Sequence, residues 1–237
     1  MRSLAEQSDS DLGGPVSVLT RQKRDHVKLN GLLDELDRTE PADQDPVLRR
    51  IYRLVFPHAF AEEAVLWPVL RRVLPDGEAL TLQVEQEHQE VNELVTKLEQ
   101  LPVDAPDRPA TLRRLVEVLR EDVRDEEDAL FPRLQEKVPP AQLRRLGVAW
   151  EAVRRTAPTR AHPVVARRPP GNTVAAVPLS VVDRLRDGVD FASQHGRTKD
   201  ASALKTASRG LTRFAHAIEH LPIMTRGEDP STHRTGR

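Results

Sequence analysis

Apolar side chains recur every three or four residues along four long segments in the first 138 residues of the chain. This is the period of an amphipathic α-helix. Helices are therefore predicted at about 16–37, 45–73, 78–101 and 110–137. Pro57, inside the second segment, predicts a kink just before His58. Each helix must bury its apolar stripe, so the chain is predicted to be all-α, with an up-down-up-down four-helix bundle over residues 15–138.

The apolar stripes also carry ionisable side chains at positions that should face the bundle interior. His58 and Glu62, for example, are four residues apart and lie on one face of the second helix. The complete set is His26, His58, Glu62, His88, Asp122 and Glu126. Uncompensated burial costs roughly several kcal/mol for each charge, against a total stability of about 5–15 kcal/mol. A bound metal cation would compensate these groups, because imidazole and carboxylate are good metal ligands.

The composition narrows the classes of function. The 237 residues contain no cysteine, which excludes disulfides, thiolate metal ligands and cysteine catalysis. The formal net charge is −1 and the arginine doublets alternate with carboxylates, so no nucleic-acid partner is predicted. Residues 1–14 lack the apolar core of a signal peptide, and no run approaches the roughly 18 apolar residues of a membrane span. We therefore expect a soluble, cytoplasmic protein without a membrane partner.

The order of these residues resembles the hemerythrin HHE cation-binding domain over about residues 15–138. The matching residues are His26, then His58-x3-Glu62-Glu63 with Leu66-Trp67-Pro68, then His88, then Asp122-x3-Glu126-Glu127 with Leu130-Phe131-Pro132. The resemblance implies a four-helix bundle around a non-haem di-iron centre with oxo or hydroxo bridges. It also implies that the three histidines are terminal ligands and that Glu62 and Glu126 bridge or cap the irons. The same ligands also accept manganese or zinc.

Two positions depart from the pattern of that family. The family usually has histidine where this chain has Asp122, and its oxygen carriers have a second histidine where this chain has Asn92. The predicted site is therefore poorer in nitrogen and more anionic, which favours higher-valent ions and disfavours reversible oxygen carriage. Glu63 and Glu127 are alternative ligands, and the pattern allows one metal ion or two.

Two functions fit these observations. The first is a hemerythrin-like protein that binds, senses or reacts with a small oxidant such as oxygen, peroxide or nitric oxide. The second is an iron- or oxygen-responsive regulatory protein that signals through its C-terminal helices without catalysis. The sequence leaves open whether the protein is an enzyme, and it identifies no catalytic residue.

The second half of the chain is predicted to be a helical extension of the bundle. Residues 139–157 should form an additional helix. Prolines at 158–178 predict an extended segment, either a strap on the bundle or a free linker. Two short helices at 179–222 should form a hairpin, whose small size favours packing on the bundle or on a second subunit, as a homodimer. The polar residues 223–237 are predicted to be a disordered tail.

Overall fold

The computed structural model describes residues 2–195 and 201–232. Every regular element in these ranges is helical, so the all-α prediction is confirmed. The bundle contains α1 (Val18–Asp37), α2 (Gln44–Ala61), α3 (Trp67–Val73), α4 (Gly77–Gln100), α5 (Arg108–Asp125) and α6 (Phe131–Lys137). The extension contains α7 (Pro140–Thr156), α8 (Gly171–His195) and α9 (Ala201–Glu219). None of the described helices is long and apolar enough to cross a membrane.

The bundle consists of four rods that are neighbours in a closed ring. α1 contacts α2 and α5, and α4 contacts α3 and α5. The second rod is α2 continued by α3, and the fourth is α5 continued by α6. Within each of these rods, a π-helical turn joins the two helices, at Glu62–Leu66 and at Glu126–Leu130. The connections between rods are short, so successive rods are antiparallel.

Both π-helical turns precede a proline, which has no backbone N–H to donate. In the second rod, the N–H of Trp67 donates to the carbonyl of Glu62, five residues earlier, and Pro68 follows. The fourth rod repeats this arrangement at its own π-helical turn. The helical irregularity therefore falls at the turn after Ala61, and α2 continues through Pro57, where a kink was predicted. Such turns occur frequently at functional sites in helices.

A polar layer divides the bundle core into two apolar clusters. On α4, Val84 belongs to one cluster and Val91 to the other, with His88 between them. Each of the other three rods also contributes residues to both clusters, one cluster on each side of its candidate ligands. The apolar clusters on both sides separate the polar layer from water, so its charged groups must find their partners within the layer.

Helix α7 lies across α1, α2 and the π-helical turn of the second rod. Its close approach depends on Gly147, because a Cβ there would lie 2.0 Å from the carbonyl oxygen of Val16. Trp150 is fully buried by this packing, with 1% of its surface exposed. The additional helix therefore covers one side of the polar layer.

Helix α8 begins earlier than the sequence predicted. It starts at Gly171 and passes through Pro178, so the proline-rich segment is shorter than 158–178. Ala175 packs in the same buried cluster as Leu179 and Val182. Burial of this longer apolar face offsets the backbone hydrogen bond that is lost at the proline.

Residues 157–170, here named the strap, lie against the bundle rather than free of it. Buried residues of the strap are Ala157, Pro158, His162, Val165, Ala166 and Arg167. Residues 223–232, predicted as part of a disordered tail, also contact the strap, since Ala166 N–H donates to the carbonyl of Met224 at 2.9 Å. The rest of that tail, 233–237, and residues 196–200 of the predicted hairpin lie outside the described residues. The division of the chain into separate domains stays a prediction.

Candidate metal centre

The structure brings all six sequence-predicted residues into the polar layer. Two groups have potential ligand atoms that lie within 4.8 Å of one another. The first group is His26, His58, Glu62 and Glu126, and the second is His88, Asp122 and Glu126. Glu126 belongs to both groups, so the two candidate ligand sets share one carboxylate.

The histidine Nε2 atoms point toward the carboxylates between them. The two oxygens of Glu62 face different rings, with Oε1 at 3.1 Å from His58 Nε2 and Oε2 at 3.7 Å from His88 Nε2. On the opposite side, Glu126 Oε2 lies 3.2 Å from His26 Nε2. Glu62 is therefore placed between two histidine nitrogens.

The opposite nitrogen of each histidine, Nδ1, contacts a carboxylate from another helix. The pairs are His26 with Glu127 at 2.9 Å, His58 with Asp25 at 3.3 Å, and His88 with Glu63 at 2.9 Å. Such contacts fix the orientation of a histidine ligand and increase its basicity. Glu63 and Glu127, considered above as alternative ligands, thus support ligand candidates. Sequence reasoning missed Asp25, although an acid beside a candidate ligand is a signal that recurs at Glu63 and Glu127.

An aromatic ring packs near each of the three histidines. The pairs are His26 with Phe131, His58 with Trp150, and His88 with Trp67, with ring centroids 6.3, 5.4 and 6.3 Å apart. Trp67 and Phe131 directly follow the two π-helical turns, and Trp150 comes from α7. All three rings are at most 1% exposed, so they exclude water from the outer sides of the imidazoles.

Five buried carboxylate oxygens in the layer accept no well-aligned hydrogen bond, although His58 Nε2 lies 3.1 Å from Glu62 Oε1 and His26 Nε2 lies 3.2 Å from Glu126 Oε2. They are both oxygens of Glu62, both oxygens of Glu126, and Oδ1 of Asp122. Buried acceptors are normally satisfied, so a cluster of this size needs a physical cause. A metal cation can bind several such oxygens at once. The buried carboxylates and histidines of the layer therefore fit a metal site.

Burial and mutual repulsion shift the pKa values of these groups. Burial raises the pKa of Asp122 well above its ordinary value, and the nearby carboxylate of Glu126 raises it further. Burial alone would lower the pKa of His26 and of His88, but the facing carboxylates reverse this effect and raise the values to about 9 and about 10. The layer therefore holds protons that a metal ion must displace, and metal binding should weaken as the pH falls.

A cavity of about 30 Å³ adjoins the candidate ligands. Its walls include His26, His58, His88 and Asp122, together with apolar residues such as Leu29, Leu54, Val91, Leu119 and Val123. This volume holds roughly one water molecule. A ligand of a few atoms fits beside the polar layer.

The fold and the site define a four-helix bundle of a cation-binding class. The sequence profile of the hemerythrin HHE cation binding domain matches residues 17–134. The chain therefore belongs to the hemerythrin HHE family, as its sequence predicted. Its bundle is a hemerythrin-like cation-binding domain whose His/Glu cluster could bind metal.

Two curated proteins are similar to this chain. An uncharacterized hemerythrin-like protein of Schizosaccharomyces pombe is 26% identical over 168 residues, which cover 69% of this chain and 82% of the relative. A DNA nickase of Nostoc sp. is 27% identical over 133 residues, which cover 56% of this chain but only 37% of the nickase. No solved structure matches the chain.

Proposed function

We propose that the bundle is a non-haem di-iron protein that binds, senses or reacts with a small oxidant. The observation that carries this proposal is the pair of ligand groups that share Glu126. The proposed ligands are His26, His58, Glu62, His88, Asp122 and Glu126. Bound iron would supply one-electron redox chemistry to oxygen, peroxide or nitric oxide, and manganese and zinc are alternative occupants.

The cavity beside the ligands supports a small oxidant as the reactant. At about 30 Å³, it has room for a molecule of a few atoms and excludes a larger organic substrate. Its apolar walls favour an uncharged ligand such as oxygen, peroxide or nitric oxide. This reasoning selects the size and polarity of the reactant but not its identity.

Asp122 supports oxidant sensing or turnover over reversible oxygen carriage. Its Oδ1 is buried without a hydrogen bond and lies 3.7 Å from His88 Nε2. As a ligand it adds one negative charge relative to imidazole, which stabilises the oxidised metal pair electrostatically. A carrier must return readily to the reduced state, and this added charge opposes that return.

Elemental analysis of the full chain, purified from iron-supplemented cells, tests the proposal. We expect about two iron ions per chain and an ultraviolet absorption band of a bridged ferric pair. Glu62→Gln removes one charge from between the histidines and should lose much of this iron. Wild-type iron content no higher than that of the variant would contradict the proposal, and stoichiometric zinc or manganese would assign the other metals.

A second candidate is a regulatory protein that signals through its C-terminal helices without catalysis. The strap favours it, because strap residues contact both the bundle and α8. Peroxide turnover by the iron-loaded chain separates the two candidates. Sustained turnover supports a reactive protein and contradicts the second candidate, whereas iron binding without turnover is consistent with the second.

We do not propose DNA-nicking activity for this chain on the basis of its similarity to a DNA nickase. The match covers 37% of that relative, and the near-neutral net charge of −1 gives no general attraction for nucleic acid. We therefore retain the prediction of no nucleic-acid partner, which a plasmid-relaxation assay tests. The cytoplasmic location and the homodimer also stay predictions.

A further inference from the structure

The strap connects the C-terminal helices to the polar layer. His162, in the strap, is 5% exposed and lies between two carboxylates, with Nε2 at 3.0 Å from Asp183 on α8 and Nδ1 at 2.8 Å from Glu219 on α9. Arg167, farther along the strap, is 8% exposed and donates to the carbonyl of His162 at 2.8 Å. These contacts hold both strap residues in place relative to α8 and α9.

From this position Arg167 reaches the support of a candidate metal ligand. Its guanidinium lies 4.0 Å from Glu63 Oε1, the oxygen that pairs with His88 Nδ1 at 2.9 Å. Glu63 is 2% exposed, so water screens this charge pair weakly. The positive charge of Arg167 therefore acts on the carboxylate that orients His88.

A second connection from the strap reaches the same histidine through its backbone. The backbone N–H of His162 donates to Asn92 Oδ1 at 2.9 Å, and Asn92 Nδ2 donates to the carbonyl of His88 at 2.8 Å. Asn92 is 3% exposed and lies one helical turn after His88. The residue that replaces a histidine of oxygen carriers thus serves as an attachment point for the strap.

We propose that Arg167 is a positioning residue that, together with the strap's attachment at Asn92, sets the orientation and donor strength of His88. The inference rests on the proposed function, because donor strength matters only where His88 binds a metal. Removing the positive charge of Arg167 leaves Glu63 a stronger hydrogen-bond acceptor. His88 then becomes a more basic ligand, which stabilises the oxidised metal. The C-terminal helices thereby tune the His88 end of the centre.

Arg167→Gln in the full chain tests this proposal. Outer partners of metal ligands typically change affinity or activity by roughly 10–100-fold. We expect iron content to stay at the wild-type level. The ratio of oxidised to reduced metal should rise about tenfold at a fixed ambient potential. This corresponds to a reduction potential that is lower by about 59 mV for one electron. In the metal-free, ¹⁵N-labelled chain, the His88 Nδ1 resonance should shift.

Arg168→Gln is the matched control. It removes the same charge from the next strap residue, which instead pairs with Glu85 at 2.7 Å and Glu78 at 2.7 Å on α4. It should leave the reduction potential and the His88 resonance unchanged. Arg167→Lys retains the charge and should return the potential toward the wild-type value, and circular dichroism of each variant verifies folding.

The outcomes separate this proposal from the proposed function. Equal changes in Arg167→Gln and Arg168→Gln would assign the effect to strap attachment alone and overturn the role of Arg167. No change in either variant would overturn it as well. If the wild-type chain binds no metal, the proposed function fails, while the metal-free resonance still decides whether Arg167 acts on His88.

Discussion

Glu126→Gln is the most informative single change, because Glu126 belongs to both ligand groups. The substitution preserves shape and removes one charge from a side chain that is 1% exposed. Both Glu126 oxygens are buried and accept no well-aligned hydrogen bond, although His26 Nε2 lies 3.2 Å from Oε2. Burial and the carboxylate of Glu62 raise the pKa of Glu126. The ionised form is therefore unfavourable in the metal-free fold, and we expect the metal-free variant to melt no lower than the metal-free wild type.

Bound metal should reverse this order of melting temperatures, so that the wild type melts above Glu126→Gln. Free metal at 100 times its dissociation constant stabilises the wild type by about 2.7 kcal/mol for one ion. For a chain of this size that is roughly 5–11 °C in melting temperature. A hundredfold loss of affinity in Glu126→Gln would leave roughly 0.4 kcal/mol at the same metal concentration, or about 1–2 °C. The loss of affinity should apply to both metal ions, because Glu126 belongs to both ligand groups.

Differential scanning calorimetry of the metal-free and metal-loaded chains measures both effects. Asp128→Asn is the control, because it makes the same chemical change at an exposed position of the same π-helical turn. It should keep the full wild-type increase in melting temperature. A Glu126→Gln variant that also keeps the full increase would refute the role of Glu126 as a shared ligand.

Three further predictions concern Asp122, His162 and the extension. Asp122→His should retain metal and raise the reduction potential, measured by spectroelectrochemistry, whereas Asp122→Ala should lose an ion or gain azide binding. Burial alone would lower the pKa of His162, but hydrogen bonds to Asp183 and Glu219 raise it to about 9. That value exceeds the roughly 6.5 of an unfolded histidine. Protonated His162 should therefore stabilise the folded state by on the order of 3 kcal/mol, fully below about pH 6.5 and less as the pH rises through about 9. His162→Gln should remove this pH dependence, measured by urea unfolding. A chain that ends at Thr156 should expose the bundle surface under the strap and aggregate in size-exclusion chromatography.

The fold and the six candidate ligands follow from one local signal, the helical period. A stripe of apolar residues on each helix specifies which face is buried, and His88 occurs on that face between Val84 and Val91. Because the apolar residues must meet, the polar residues on the same stripes must meet too. The family is recognisable for the same reason, since its ligands occupy fixed positions on the stripes.

The sequence predicted a kink at Pro57, whereas the two π-helical turns precede Pro68 and Pro132. Pro57 removes one backbone donor within α2, and the helix continues through it. Pro68 follows the π-helical turn and has a counterpart after the second turn. The repetition of Glu-Glu, two variable residues, Leu, an aromatic residue and Pro in both halves of the bundle is the informative signal.

Which carboxylate pairs with which histidine could not be predicted, because each pair joins different helices. Glu63, in the π-helical turn of the second rod, supports His88 on α4, and Asp25 on α1 supports His58 on α2. Periodicity describes the face of one helix but carries no information about the rotation of its neighbour. The contact of His162 with Asn92 spans 70 residues and arises from a segment with no period at all. A residue proposed to act on a candidate ligand from such a segment, as Arg167 is, can be found only by locating it in the fold.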